Sequence, residues 1–202
     1  MVIVRQALEC AMDPFFVSAA VVALAEIGDK TQLLAVALAA RYRKPAPIVL
    51  GIFCATLLNH GAAGAFGVGL ANLLGGAGLR WALGLGFIAM AAWMLVPDRL
   101  DHDKPPSRRL GVFATTLMVF FLVEIGDKTQ IATVALAAQY KALGAVVFGT
   151  TLGMMIANAP AVYLGDAVSQ RLDMRLMHGV ASVIFLVLGV LVLASGDFEL
   201  PA

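Results

Sequence analysis

The chain has 202 residues, of which 61% are hydrophobic and 13% charged, with a formal net charge of +1. A soluble domain carries about twice that charged fraction, so the composition excludes one and indicates an integral membrane protein. The near-zero net charge gives no reason to expect a nucleic-acid partner. The two cysteines, Cys10 and Cys54, form neither a disulfide framework nor a metal pair by spacing, and read as small apolar filler.

Met1 to Asp13 lacks a basic region, an apolar stretch and a small-residue cleavage site, so no signal peptide is expected. Six apolar segments follow, at roughly 14–40, 47–71, 79–96, 110–138, 143–165 and 177–195. Each is long enough to span a bilayer, where about 20 residues suffice. Pro14 suits the first turn of segment one, and Arg41-Tyr42-Arg43-Lys44-Pro45 closes it. Segment two is rich in small residues (Gly51, Gly61, Gly64, Gly67 and Gly69), which let helix backbones approach closely in lipid. Asn59 and His60 interrupt its apolar face, and Gly75-Gly76-Ala77-Gly78 is expected to link it to segment three. Trp81 and Trp93, near the ends of segment three, suit interfacial anchoring.

Glu26-Ile27-Gly28-Asp29-Lys30-Thr31-Gln32 in segment one returns unchanged as Glu124-Ile125-Gly126-Asp127-Lys128-Thr129-Gln130 in segment four. Leu24–Tyr42 aligns with Leu122–Tyr140 without a gap, at offset 98, with 14 of 19 positions identical. The chain therefore holds a duplicated unit. Gly149 and Gly165 stand at the same offset from Gly51 and Gly67, and Asn158 aligns with His60. Residues 1–96 read as a first three-helix repeat, 97–109 as a polar linker loop and 110–202 as a second three-helix repeat.

Three helices is an odd number, so the second repeat enters the membrane in the opposite sense to the first. The expected fold is an all-α integral membrane protein of six transmembrane helices, arranged as two inverted repeats. Nine basic residues (Arg41, Arg43, Lys44, Arg99, Lys104, Arg108, Arg109, Arg171 and Arg175) follow the odd-numbered segments, against Arg5, Arg80 and Lys141 on the other side. The positive-inside rule then assigns the 97–109 loop to the cytoplasm and both termini to the exterior.

Each motif copy sets two carboxylates and an ammonium at mid-segment, where ionisable groups are costly and usually face a cavity or a partner. Segment one, about 27 residues, would be about 40 Å long as a helix, more than a core of about 30 Å; tilt or a break near Gly28 absorbs the excess. The same holds for segment four and Gly126. On a continuous helix Glu26, Asp29 and Lys30 share a face, and Glu26 and Lys30 form an i,i+4 pair. Helices crossing at the midplane would bring Glu26 and Glu124 together, with Asp29 and Asp127 flanking them.

Four carboxylates and two ammonium groups sum to −2, which one divalent cation or two protons neutralise. Like charges in low dielectric cannot all stay ionised once a metal leaves, so metal loss and proton gain are linked. The available ligands are oxygens: the four carboxylates, the hydroxyls of Thr31 and Thr129, and the amides of Gln32 and Gln130. Such a set suits Mg²⁺, Ca²⁺ or Mn²⁺ rather than Cu⁺ or Zn²⁺. Lys30 and Lys128 would either neutralise the empty site or snorkel toward an interface. His60, Asn59 and Asn158 read more readily as interhelical packing groups than as ligands, and Asp166 as a helix-end residue in water. Among the glycines, Gly28 and Gly126 stand out as more than packing residues.

A doubled Glu-x-Gly-Asp-Lys-Thr motif in a six-helix chain of about 200 residues resembles a family of small cation/proton antiporters. The family includes bacterial MneA-type manganese exporters and Golgi and chloroplast Mn²⁺/Ca²⁺ transporters. The resemblance implies that Glu26, Asp29, Glu124 and Asp127 carry the ion. It also implies Mn²⁺ export from a bacterial inner membrane in exchange for protons, with Ca²⁺ as the alternative substrate and no cofactor. Three other classes compete. A channel would use the carboxylates as a selectivity ring, and a structural scaffold would tolerate their neutralisation. An intramembrane aspartyl protease would need a shared-proton dyad, against which the adjacent lysines argue, so no enzyme is expected.

The basic-residue bias carries a topological prediction. With Cys10 and Cys54 replaced, an introduced Ser107→Cys should resist an impermeant thiol reagent added outside intact cells, and react once the membrane is opened. Labelling from outside would reverse the orientation.

Overall fold

A computed structural model of the chain describes residues 13–96, 111–164 and 174–194, and all the secondary structure in them is helical. The helices are α1 (Pro14–Glu26), α2 (Lys30–Tyr42), α3 (Pro45–Met94), α4 (Val112–Glu124), α5 (Lys128–Tyr140), α6 (Leu143–Leu164) and α7 (Met174–Ala194). The proposed 97–109 linker lies outside the described residues, as do Cys10, Gly165 and Asp166.

The two long motif segments are each broken in the middle. α1 begins with Pro14 in its first turn and Asp13 as its cap, whose carboxylate accepts from the Phe15 N–H at 2.8 Å. It stops at Glu26 because Ile27 is extended and Gly28 takes φ +87°, a left-handed conformation that disfavours any side chain. α4 stops at Glu124 in the same way, with Gly126 at φ +76°. Gln32 Oε1 accepts from the Gly28 N–H at 3.0 Å, and Gln130 Oε1 from the Gly126 N–H at 2.7 Å. The glycine and the glutamine of the motif thus make the break together. α2 and α5 also end alike, on Arg43 and Lys141 at φ 52° and 51°. Every boundary of α4 and α5 lies 98 residues after its counterpart in α1 and α2.

These breaks correct the single-helix reading of the motif. Glu26 closes one helix, Asp29 caps the next and Lys30 opens it, so a continuous helical face does not run through them. The expected Glu26–Lys30 pair gives way to an ion pair from Lys30 Nζ to Asp127 Oδ1 at 2.8 Å.

A second correction concerns the glycine-rich link. Helical structure continues through Gly75–Gly78, joining segments two and three in the 50-residue α3. Glycine keeps its backbone donor and acceptor, so it can bend a helix without ending it. The bend is large. Asn59 Nδ2 donates to the Phe121 carbonyl at 3.0 Å, and Lys128 Nζ donates to the Val96 carbonyl at 2.9 Å. Phe121 and Lys128, seven residues apart, lie within about 25 Å of each other. On a straight axis Asn59 and Met94 would be about 52 Å apart, beyond reach even with both side chains extended. α3 therefore folds back as two arms, Pro45–Leu74 and Gly76–Met94, each apolar and long enough to cross a membrane, as is α6. α1, α4 and His178–Ala194 are apolar but shorter. At about 20 Å, α1 ends some two-thirds of the way through a hydrocarbon core, which leaves the motif at depth.

Each motif helix packs along the second helix of the other repeat. A side chain at Gly149 of α6 would collide with the Phe15 carbonyl, and one at Gly153 with α1 at Ala19 and Val22. Further along, the Ala157 carbonyl accepts from Gln32 Nε2 at 3.0 Å, so α1 and α6 run in the same direction. The related pairing sets Gly51 of α3 against Phe113 and Thr116 of α4, and Asn59 against Phe121. The second arm of α3 lies antiparallel to α7, with Ser182 Oγ donating to the Ala91 carbonyl at 2.7 Å and Gly84 close to Leu193. Pro160 is carried inside α6 without ending it. Two apolar cores result. One joins Ile48, Ile52, Phe120 and Met154; the other joins Phe87, Leu136 and Phe185. Large apolar side chains such as Phe66, Leu73, Leu122 and Leu191 are exposed on the outside, as a lipid-facing surface requires.

Close backbone approach gives a stability prediction. Gly149→Ala should destabilise the detergent-solubilised protein by about 1–3 kcal/mol through overpacking. Gly69→Ala, where nothing lies within 4 Å of an added Cβ, should be neutral or stabilising by up to about 1 kcal/mol. Thermal unfolding of both variants checks the pair.

Candidate cation site

The breaks bring the ends of four helices together at depth. A helix C-terminus is the negative end of its dipole and an N-terminus the positive end, so each break offers an end suited to a cation beside an end suited to a carboxylate. Glu26 and Glu124 occupy the last positions of α1 and α4, and Asp29 and Asp127 cap α2 and α5. The Asp29 N–H donates to the Glu26 carbonyl at 3.0 Å, and the Asp127 N–H to the Glu124 carbonyl at 3.1 Å. These bonds tie each aspartate to its glutamate.

Glu26, Glu124 and Asp127 come together as a buried group, each offering a carboxylate oxygen within 4.8 Å of the others. In each, one oxygen is fastened and one is not. Thr31 Oγ1 donates to Glu26 Oε2, Thr129 Oγ1 lies 3.4 Å from Glu124 Oε2, and Lys30 Nζ holds Asp127 Oδ1. Among the described residues, Glu26 Oε1, Glu124 Oε1 and Asp127 Oδ2 have no hydrogen-bond partner. Buried polar atoms are normally satisfied; three carboxylate oxygens without a partner in one place are suited to a cation.

The two halves are not equivalent. Asp29 is buried at 3% exposure but stands outside the three-carboxylate group. Lys30 is 23% exposed along its side chain and pairs across the repeats with Asp127, so its head is held by the site instead of snorkelling. Lys128 is more deeply buried, at 2% exposure, and donates to the Val96 carbonyl. The first arm of α3 and α6 complete the walls. Thr129 and Asn158 lie against the Glu26 carboxyl, and Asn158 Nδ2 also donates to the Met154 carbonyl at 3.1 Å. Asn59 fastens α3 to α4 one turn before Glu124.

Of the residues singled out in the sequence, Thr31 and Thr129 orient glutamates, Gln32 and Gln130 hold the breaks, and Gly28 and Gly126 form them. Gln32 also reaches α6 through its amide. The cross-repeat reach of Lys30 was missed, because a helical wheel has no meaning across a break. His60 is fully buried, and neither ring nitrogen has a hydrogen-bond partner among the described residues.

The sequence profile of a family described as "Divalent cation/proton antiporter GDT1" matches the chain twice, over residues 14–102 and 112–199. A protein of Vibrio cholerae named "Putative manganese exporter" is 48% identical over 181 residues, covering 89% of this chain and 90% of its own. GDT1-like protein 3 of Arabidopsis thaliana is 29% identical over 206 residues, covering 86% of this chain and 68% of its own. GDT1-like protein 3 of Oryza sativa subsp. japonica is 27% identical over 205 residues, with 86% and 71% covered. No solved structure matches. Two matches to one profile, in the two halves that the fold relates, account for the duplicated motif, and the chain belongs to the GDT1 family of divalent cation/proton antiporters.

Proposed function

We propose that the chain exports Mn²⁺ across a bacterial inner membrane in exchange for protons, and that Glu26, Asp29, Glu124 and Asp127 carry both ions. The observation that carries this reading is the buried group of Glu26, Glu124 and Asp127, with one unbonded oxygen on each carboxylate among the described residues. Three carboxylates and the Lys30 ammonium sum to −2, the charge that one divalent cation or two protons cancel. Deep in a membrane an uncompensated −2 is heavily penalised, so cation departure draws protons in and cation arrival drives them out. Exchange follows from electrostatics, without a separate coupling device.

The frame that suits this chemistry is six spans in two inverted three-helix repeats, with both termini outside. It is supported by the offset of 98 between the paired breaks and by the direction of packing. In an alternating six-span chain the first and fifth spans run the same way, as α1 and α6 do, and so do the fourth and second, as α4 and the first arm of α3 do. Mn²⁺ is favoured over Ca²⁺ as the cargo because the chain is 48% identical to the protein named "Putative manganese exporter".

Glu26→Gln and Glu124→Gln are each expected to abolish Mn²⁺/H⁺ exchange in proteoliposomes carrying an internal pH dye, while leaving folded protein. Each leaves the site one negative charge short, so a bound divalent cation is left with a net positive charge at a cost of several kcal/mol. Asp29→Asn and Asp127→Asn should both impair exchange, and unequally, since only Asp127 belongs to the three-carboxylate group. Wild-type transport at either glutamine variant overturns the assignment. Exchange that runs on Ca²⁺ in preference to Mn²⁺ changes the cargo but keeps the site.

Protons and the cation compete for the same oxygens. Apparent Mn²⁺ affinity should therefore fall as pH drops from about 8 to about 5, the interval above the ordinary carboxyl range. Equilibrium Mn²⁺ binding to the purified protein measures this, and a flat profile excludes shared sites.

A further inference from the structure

The repeats differ most informatively where Asn158 in α6 is matched by His60 in the first arm of α3. The repeat relation holds contact by contact: Gly51 meets Phe113, and Gly149, 98 residues on, meets Phe15, itself 98 residues before Phe113. Asn158 lies against the Glu26 carboxyl. The same relation places His60 on the Glu124 side of the site, outside the group that Glu26, Glu124 and Asp127 form. A second observation agrees, since the preceding residue, Asn59, is bonded to Phe121 three positions before Glu124.

His60 has 0% exposure, and both Nδ1 and Nε2 are without a hydrogen-bond partner among the described residues. A histidine kept only for packing would find a partner, because an unsatisfied buried polar atom costs about 1–3 kcal/mol. The Glu124 side of the site is thus furnished with an imidazole, where the Glu26 side has an amide.

We propose that His60 donates a ring nitrogen to the transported cation on the Glu124 side of the site, and that this donor tilts selection toward Mn²⁺ against Ca²⁺. The proposal rests on the carboxylate site described above. Ca²⁺ takes six to eight oxygen ligands, and an imidazole in its shell is a poor exchange for one of them. Mn²⁺ also prefers oxygen, but as the first member of the first-row transition series it accepts a nitrogen donor more readily than Ca²⁺ does. A neutral imidazole gives one lone pair to the cation and keeps one N–H.

The test uses the full-length protein, purified without a polyhistidine tag. His60→Asn gives the first repeat the side chain of the second, and His60→Gln keeps an amide with longer reach. Both should still transport in proteoliposomes, with the KM for Mn²⁺ raised about tenfold or more and that for Ca²⁺ unchanged, so the Mn²⁺ preference falls by the same factor. Pulsed EPR of the Mn²⁺-loaded wild type should show imidazole-nitrogen modulation that His60→Asn lacks. An unaltered preference, or equal loss of both cations, overturns the proposal. So does a wild-type spectrum without nitrogen modulation, and that measurement decides the matter if the variants do not fold. Glu124→Gln, run alongside, keeps the two ideas apart. If it transports normally, the carboxylate site itself fails; if it is silent while His60→Asn matches wild type, only the nitrogen donor fails.

Discussion

Burying carboxylates is the constraint on which the rest of the molecule depends. Removing one ion from water costs several kcal/mol even after a protein relaxes around it, and here three carboxylates share one small volume. The chain meets this with what lies nearest. A threonine from the following helix turn steadies each glutamate, and an ammonium from one repeat holds the aspartate of the other. The helix breaks follow from the same need. An unbroken helix would spend its backbone groups on itself, whereas a break at Gly28 or Gly126 turns helix ends toward the site.

Close packing is the second requirement, because a site of this kind works only if its halves are held in register. Apolar burial cannot do this in lipid, where tails are as apolar as leucine side chains. Small residues do it instead. Phe15 approaches α6 at Gly149, and Val134 approaches α3 at Gly67, in both cases backbone against helix. Polar clamps add direction, with Gln32 reaching α6 and Asn59 reaching α4 from opposite sides of the site.

Much of this was legible in the sequence, and the reasons are specific. Two identical copies of Glu-Ile-Gly-Asp-Lys-Thr-Gln at offset 98 announced a duplicated unit, and an overlong apolar segment with a central glycine allowed for a break. What escaped was whatever depends on the two copies meeting. Identical motifs cannot reveal that Asp127 joins the glutamates while Asp29 stands apart, because the inequality arises from neighbours on other helices. The Lys30–Asp127 pair spans almost a hundred residues and leaves no periodicity to read. Gly75–Gly78 misled in the other direction: glycines mark where a helix is allowed to turn, not that its hydrogen bonding must stop.

The interleaving of the two halves has a bearing on how the protein is made. α1 finds its long-term neighbour not in α3 but in α6, and the bond from Gln32 to Ala157 closes a loop of 125 residues. At ribosomal speeds that interval is on the order of ten seconds. For that time Glu26, Asp29 and Lys30 are in or near the bilayer with no second repeat to answer them. The newborn first half is thus an orphaned charge cluster awaiting its complement. A stall or truncation after residue 96 leaves it without the aspartate and the helix that the second half supplies to Lys30 and Gln32.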